Sequence, residues 1–206
     1  MRSLVPLFLA VLSGAAEVAR NDLQLAVESA DGGYDYTLNT PVGSFTGSDA
    51  FDRFSTLRLG GRWAWSGIGS SLGLLAGGDL LYTDATLADG SLTGWGAELD
   101  VGGTWAVHDR WCLDAEAFGG YQMVSLDMQS AGAQLTGDGG MLRNGLRLRL
   151  LWHASNHWSI GTEAGWQAWH SALTVTGDRD LTMDGSGLQW GLVLAWRPSV
   201  RPAGIE

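Results

Sequence analysis

Apolar and polar residues alternate with a period of two along most of the chain from residue 22 onward, which is the pattern of β-strands with two different faces. Eight stretches carry this pattern: 22–30, 53–65, 71–82, 93–107, 111–125, 141–152, 158–175 and 187–197. Each stretch has at least nine residues, which is enough for a tilted strand to cross the apolar core of a bilayer. The pattern predicts an all-β fold with eight antiparallel strands.

The connections between these stretches alternate between long and short. The long ones are 31–52, 83–92, 126–140 and a loop around 178–184, and the short ones are 66–70, 108–110 and 153–157. An up-and-down barrel with tight turns at one rim and long loops at the other has this asymmetry, and in transmembrane barrels the short turns lie on the periplasmic side. The spacing therefore predicts four long extracellular loops.

Alternation alone does not determine which face of a barrel points outward. Seven of the eleven tryptophans lie at the short-turn ends of their stretches, all on the apolar face: Trp63, Trp65, Trp105, Trp111, Trp152, Trp158 and Trp196. An outward ring of indoles is typical of a membrane interface, and so many rings would collide inside a narrow barrel. We therefore predict an eight-stranded antiparallel up-and-down transmembrane β-barrel with a polar lumen filled by side chains. A soluble lipocalin-like barrel that binds a ligand is the alternative.

The face opposite the tryptophans carries twelve charged residues that this fold would place in the lumen. They are Glu28, Arg58, Arg62, Asp79, Glu98, Asp100, Asp114, Glu116, Arg143, Arg147, Arg149 and Glu163. All five arginines lie on the second and sixth stretches, and acids lie on the stretches to either side. Since a guanidinium meets a carboxylate through two parallel hydrogen bonds, we predict a set of ion pairs that closes and stiffens the barrel. An ion path or gate is the alternative interpretation.

The two ends of the chain differ from the rest. Met1-Arg2, an apolar run over 4–12 and the small residues that follow predict a signal peptide over 1–16, cleaved after Ala15 or Ala16. The barrel is then expected over 17–198, because Pro198 cannot donate to a strand ladder, with a short tail over 199–206.

Composition excludes several classes of protein. A formal net charge of −10 disfavours nucleic acid as a partner, because phosphate contacts need clustered basic residues. The single cysteine excludes an intrachain disulfide framework and a cysteine-rich zinc site. The histidines show no shared metal-ligand spacing, so we expect no metal and no cofactor.

Two short motifs pair serine with histidine. His153-Ala154-Ser155-Asn156 resembles the His-x-Ser-Asn stretch of outer-membrane lipid A deacylases, but it lies in a short turn without an orienting acid at a suitable spacing. His170 and Ser171 are adjacent on a strand, so their side chains point to opposite faces. We therefore expect no catalytic residues and no enzymatic activity.

As a whole the chain resembles the small eight-stranded outer-membrane barrels of the OmpA and OmpX type, through its signal segment, amphipathic stretches, connection lengths and aromatic ring. The resemblance implies a place in a Gram-negative outer membrane, in contact with lipid and lipopolysaccharide. It also implies a non-enzymatic role in envelope structure or in recognition of an extracellular surface ligand through the four loops. Such barrels usually end on an aromatic residue, whereas here Trp196 is followed by Arg197 and Pro198. A narrow porin-like channel, a lipid-modifying enzyme and a soluble binding barrel are the other candidate functions.

Overall fold

A computed structural model describes residues 17–66, 71–130, 133–177 and 179–198. They form nine strands: β1 (Glu17–Thr40), β2 (Gly43–Ala50), β3 (Arg53–Ser66), β4 (Leu72–Leu87), β5 (Gly90–His108), β6 (Trp111–Ser130), β7 (Ala133–His153), β8 (Trp158–Val175) and β9 (Arg179–Trp196). In this part of the chain no helix is long and apolar enough to cross a membrane. The predicted signal peptide and the predicted tail lie outside the described residues.

Eight of the strands close into a ring. Each strand from β3 to β9 is antiparallel to the next, and β1 pairs with both β3 and β9. Paired residues followed once around the ring from Leu25 return to β1 at Asp35, ten residues further along. An offset of this size in a ring of eight strands belongs to a barrel with strands tilted by roughly 35–45°, whose interior is just wide enough for side chains to fill.

The first predicted loop, residues 31–52, is instead a β-hairpin. β1 continues to Thr40 and β2 folds back along it, with Gly33 opposite Ala50 and Thr40 opposite Gly43. The same part of β1 also pairs with β9, from Gly33 opposite Ser186 to Asn39 opposite Asp180. The barrel wall therefore continues through a segment that was expected to be irregular.

The other three predicted loops are also hairpins, so the prediction of four long loops is wrong. β4 and β5 are joined by a turn at residues 88–89, only two residues separate β6 from β7, and only three separate β8 from β9. Gly177 in the last of these turns has a φ of 86°, a backbone conformation that favours glycine. The physical reason for the error is that apolar residues change from the outward to the inward positions part-way along the strands. On β6 the outward residues are apolar up to Met123, whereas beyond it the apolar residues Val124 and Leu126 point inward.

This change divides the barrel into two parts. We call residues 33–53, 85–93, 124–140 and 170–185 the extension, as far as they are described, and the remainder the barrel body. In the body large apolar side chains point outward with 40% or more of their surface exposed, among them Leu25, Leu59, Leu80, Leu99, Leu146, Leu148 and Leu192. In the extension most exposed residues are polar, among them Asp35, Ser125, Asp127, Thr136, Asp138, Thr174, Asp180 and Asp184. Val42 and Phe45, at the tip of the first hairpin, are exposed apolar residues.

Hydrogen exchange can distinguish the hairpin from a loop. We expect the backbone amides of Tyr34, Tyr36 and Leu38 to exchange at least roughly a hundredfold more slowly than those of an unstructured chain, since this segment is paired on both sides. Val42, in the turn that joins β1 and β2, serves as the control and is expected to exchange much faster. Equal and rapid exchange at all four amides would contradict the hairpin.

Candidate functional site: a buried charge cluster below an apolar chamber

All twelve charged residues predicted for the lumen point into the barrel body, and none is more than 4% exposed. They occupy alternate positions on their strands, which directs their side chains to the inner face. Their burial demands compensation, since an unpaired charge in a low-dielectric interior is very costly.

Arg58, on β3, lies at the centre of this charge cluster. Its Nε is 2.7 Å from Glu28, its Nη1 is 2.7 Å from Asp79, and its Nη2 is 2.6 Å from Glu163. Glu28 and Asp79 are on the two neighbouring strands, as expected from the sequence. Glu163, however, is on β8, which is not a neighbour of β3, so the guanidinium bridges the lumen.

Arg147, on β7, also connects strands that are not adjacent. Its Nη2 lies 2.8 Å from Glu98 on β5, and its Nε lies 3.3 Å from Glu28 on β1. Its Nη1 is 3.3 Å from Glu116 on the neighbouring β6, and its guanidinium carbon stands 4.3 Å from the centroid of the Phe118 ring. With Glu163 at 3.9 Å, Arg147 therefore joins four carboxylates and an aromatic face.

The remaining contacts merge the pairs into one network. Arg62 is 2.7 Å from Asp79 and 3.4 Å from Glu116, and Arg149 is 2.8 Å from Glu116 and 3.3 Å from Glu163. The sequence analysis described two separate basic strands, each paired with its neighbours. The structure corrects this description, because shared carboxylates link both basic strands across the lumen.

Arg20 and Asp22 extend the network toward the short turns. The sequence analysis did not include them among the lumen residues. Arg20 Nη2 lies 2.6 Å from Asp114 and its Nε lies 2.8 Å from Asp22, and all three side chains are buried. The first predicted strand started only at residue 22. The even numbering that Arg20 and Asp22 share with Glu28 was the signal that placed them on the inner face.

The inner surface changes from charged to apolar along each strand. On β6, inward side chains pass from Glu116 through Phe118 and Gln122 to Val124 and Leu126. In the extension, and at its base, the inward residues form an apolar cluster, which consists of Tyr34, Phe54, Ala85, Leu87, Leu92, Val124, Leu126, Met141, Trp169, Leu173, Val175, Leu181 and Met183. The predicted polar lumen is thus confined to the barrel body, because beyond it the apolar parity points inward.

Aromatic rings form the base of this cluster, and a cavity lies within it. The ring of Phe51 is 4.7 Å from that of Tyr34, 5.1 Å from Phe54 and 5.4 Å from Trp169, measured between centroids. A cavity of about 200 Å³, which we call the chamber, lies at the end of the barrel and is lined mainly by apolar side chains. Burial, and then the nearby Asp49 carboxylate, raise the pKa of Tyr34 to about 12, so this hydroxyl at the chamber wall remains protonated at neutral pH.

The outer surface of the barrel body carries aromatic residues at both of its edges. The seven tryptophans singled out in the sequence lie at the short-turn ends of their strands, with Trp65 half-buried and the others exposed. A second set lies at the border with the extension: Tyr82, Trp95, Tyr121, Trp166 and Trp190. Trp95 and Trp105 are ten residues apart on β5, which corresponds to about 25 Å along the barrel axis. The second set was missed, although it lies on the same strand faces as the first.

In neither of the two motifs does the histidine contact the serine of the same motif. His153 Nδ1 lies 2.7 Å from Ser159 Oγ, whereas Ser155 Oγ accepts hydrogen bonds from the amides of His157 and Trp158 within the turn. His170 points outward and contacts Asp184 at 2.7 Å, while Ser171 is buried on the inner face. Among the described residues, no group of three or more His, Cys, Asp and Glu side chains is placed to hold a metal ion.

No protein-family model matches the chain, and no curated protein matches its sequence. Solved structures match its fold. The outer membrane protein OprG from Pseudomonas aeruginosa has a TM-score of 0.56 at 9% identity, covering 89% of this chain and 98% of that one. The outer membrane protease OmpT from Escherichia coli has a TM-score of 0.51 at 6% identity, covering 91% of this chain and 100% of that one. At these identities the likeness concerns the fold alone, which is that of an outer-membrane β-barrel.

Proposed function

We propose that this protein spans the bacterial outer membrane as a closed, non-enzymatic β-barrel and serves envelope structure and interaction at the cell surface. The barrel body lies in the bilayer, with the short turns in the periplasm, and the extension stands outside the cell. The partners are membrane lipid and lipopolysaccharide, together with a surface ligand that the extension meets. The segments predicted to be loops are strands of the extension. We therefore assign to the extension the recognition of a surface ligand that the sequence analysis assigned to the loops.

The observation that carries this proposal is the simultaneous reversal of polarity on both faces of the barrel wall. In the body the outside is apolar and the inside charged, which suits a protein surrounded by lipid. In the extension the outside is mainly polar and the inside apolar, which suits a barrel surrounded by water. This reversal of polarity occurs at the second aromatic set. Aromatic rings at both edges of an apolar band about 25 Å tall are typical of membrane barrels.

The charge cluster favours a closed barrel over a narrow channel. Its arginines bridge carboxylates on opposite walls, as Arg58 does between Asp79 on β4 and Glu163 on β8, and both partners are buried. An ion would have to displace these contacts in order to pass. A soluble binding barrel is disfavoured because the apolar side chains of the body would be exposed to water.

A lipid-modifying hydrolase gains no support from the serine turn. Ser155 is engaged by two amides of its own turn, and His153 contacts Ser159 instead. In the proposed orientation this turn also faces the periplasm, away from the lipid A of the outer leaflet.

Electrophoresis and bilayer recording test the proposal together. Refolded protein should need detergent to stay in solution and should migrate differently in SDS before and after boiling, because closed membrane barrels resist SDS when cold. Added to a planar bilayer, it should produce no steady single-channel conductance. Solubility in plain buffer without a mobility shift would contradict the membrane placement, and regular current steps would contradict the closed lumen.

A further inference from the structure

The chamber combines three features that together define the chemistry of a ligand. It is enclosed on its inner side by the apolar cluster, with side chains such as Leu87, Leu126 and Met183 in its wall. Two acidic residues, Asp49 and Asp89, line it as well and are exposed at the end of the barrel. No basic side chain is among the described residues that line it.

The volume of the chamber limits the size of what it can hold. Apolar cavities of about 150 Å³ bind benzene, so about 200 Å³ accommodates one substituted ring or a short aliphatic chain. Two tyrosines in the wall, Tyr34 and Tyr36, provide aromatic surface, and the rings of Phe51 and Trp169 lie next to Tyr34. The lining therefore favours a compact apolar group.

The charge around the chamber selects the sign of the ligand. Asp49 and Asp89 lie in its lining, and the outward face of the extension adds Asp35 and Asp184. A region with this excess of acids attracts cations and repels anions. An aromatic wall also stabilises an organic ammonium through cation–π contact.

We propose that the chamber binds small organic amines, with the apolar body in the chamber and the ammonium group toward Asp49 and Asp89. The charge cluster below stays closed during binding, so the chamber captures its ligand and does not conduct it. This inference rests on the proposed function only in placing the chamber outside the cell.

Methionine NMR with benzylamine as the probe tests this proposal on the refolded protein in detergent micelles. Met128 and Met183 line the chamber, whereas Met123 is 69% exposed on the outer face and reports on the detergent. We expect saturable shifts of the Met128 and Met183 methyl signals, with a dissociation constant of about 1 mM for so small a ligand, and little change at Met123. Benzyl alcohol should bind about two- to fivefold more weakly, and benzoate should not bind measurably.

Two pairs of matched variants locate the site. Asp49→Asn should weaken benzylamine binding about two- to fivefold and leave benzyl alcohol unchanged, whereas Asp138→Asn, which lies outside the chamber, should change neither. Leu181→Phe should narrow the chamber and weaken the shifts, while Leu188→Phe on the outer face of the body should preserve them.

Three results would overturn the inference. They are equal shifts at Met123 and Met183, binding of benzoate as strong as that of benzylamine, and undiminished shifts in a folded Leu181→Phe protein. A failure of this inference can be distinguished from a failure of the proposed function. The comparison of boiled and unboiled protein on a gel tests the membrane placement, whereas the methyl titration tests ligand binding in the chamber, and it can be done in detergent or in plain buffer.

Discussion

Arg58→Met is expected to lower the free energy of unfolding by about 3–5 kcal/mol, the usual cost of removing one partner from a buried ionic network. The variant leaves Glu28, Asp79 and Glu163 without the guanidinium that lies within 2.7 Å of each of them. The methionine side chain fills much of the space, so the loss reports on charge more than on packing. Urea unfolding in lipid vesicles, followed by tryptophan fluorescence, measures it.

The matched control is an ion pair on the outer surface. Arg53 contacts Asp84 at 2.6 Å, but its side chain is 60% exposed, so Arg53→Met should cost less than about 1 kcal/mol. Losses of the same size in the two variants would mean that the charge cluster does not stabilise the barrel in the way described.

Leu148→Arg is expected to cost about 2–4 kcal/mol in vesicles, because it places a charge near the middle of a surface that faces lipid. Leu148 is 57% exposed on the outer face of the barrel body. In a water-soluble protein a substitution at such an exposed position usually changes stability by no more than about 0.5 kcal/mol. The same urea experiment therefore distinguishes lipid from water around the body.

Thr174→Arg is the control for that variant. Thr174 is also an exposed outward residue of a strand, but it lies in the extension. It should tolerate arginine with a change within about 0.5 kcal/mol. A large loss at Thr174, or no loss at Leu148, would contradict the position of the border between the two parts.

The eight ring strands and the inward charges could be predicted from the sequence because a strand places successive residues on opposite faces. In the barrel body each face meets one environment over its whole length. A run such as Leu146, Leu148 and Leu150 against Arg147 and Arg149 therefore assigns its faces without further information.

The extension could not be predicted in the same way. At its border with the barrel body the apolar residues change from the outward to the inward positions of the strands, so the alternating pattern is interrupted. Met123 and Val124 are adjacent apolar residues at such a point, and the predicted stretch 111–125 ends directly after them. The contacts across the lumen also escaped prediction. Odd or even position along a strand determines whether a side chain points into the lumen or outward. Which residues of opposite strands lie at the same height in the lumen depends on the ten-residue offset around the ring. That offset follows from strand pairings such as Asp35 with Asp184, which alternation alone does not give.

Spin-label accessibility along β6 in lipid vesicles tests the central claim most directly. With the buried Cys112 replaced by alanine, single labels are placed at the outward positions Leu113, Ala117, Ser125 and Asp127. We predict that oxygen, which dissolves in lipid, reaches residues 113 and 117 better than a water-soluble nickel complex does. The order should reverse at residues 125 and 127, with the crossover near Tyr121. Free access of the nickel complex to all four positions would place the apolar band in water and contradict the account.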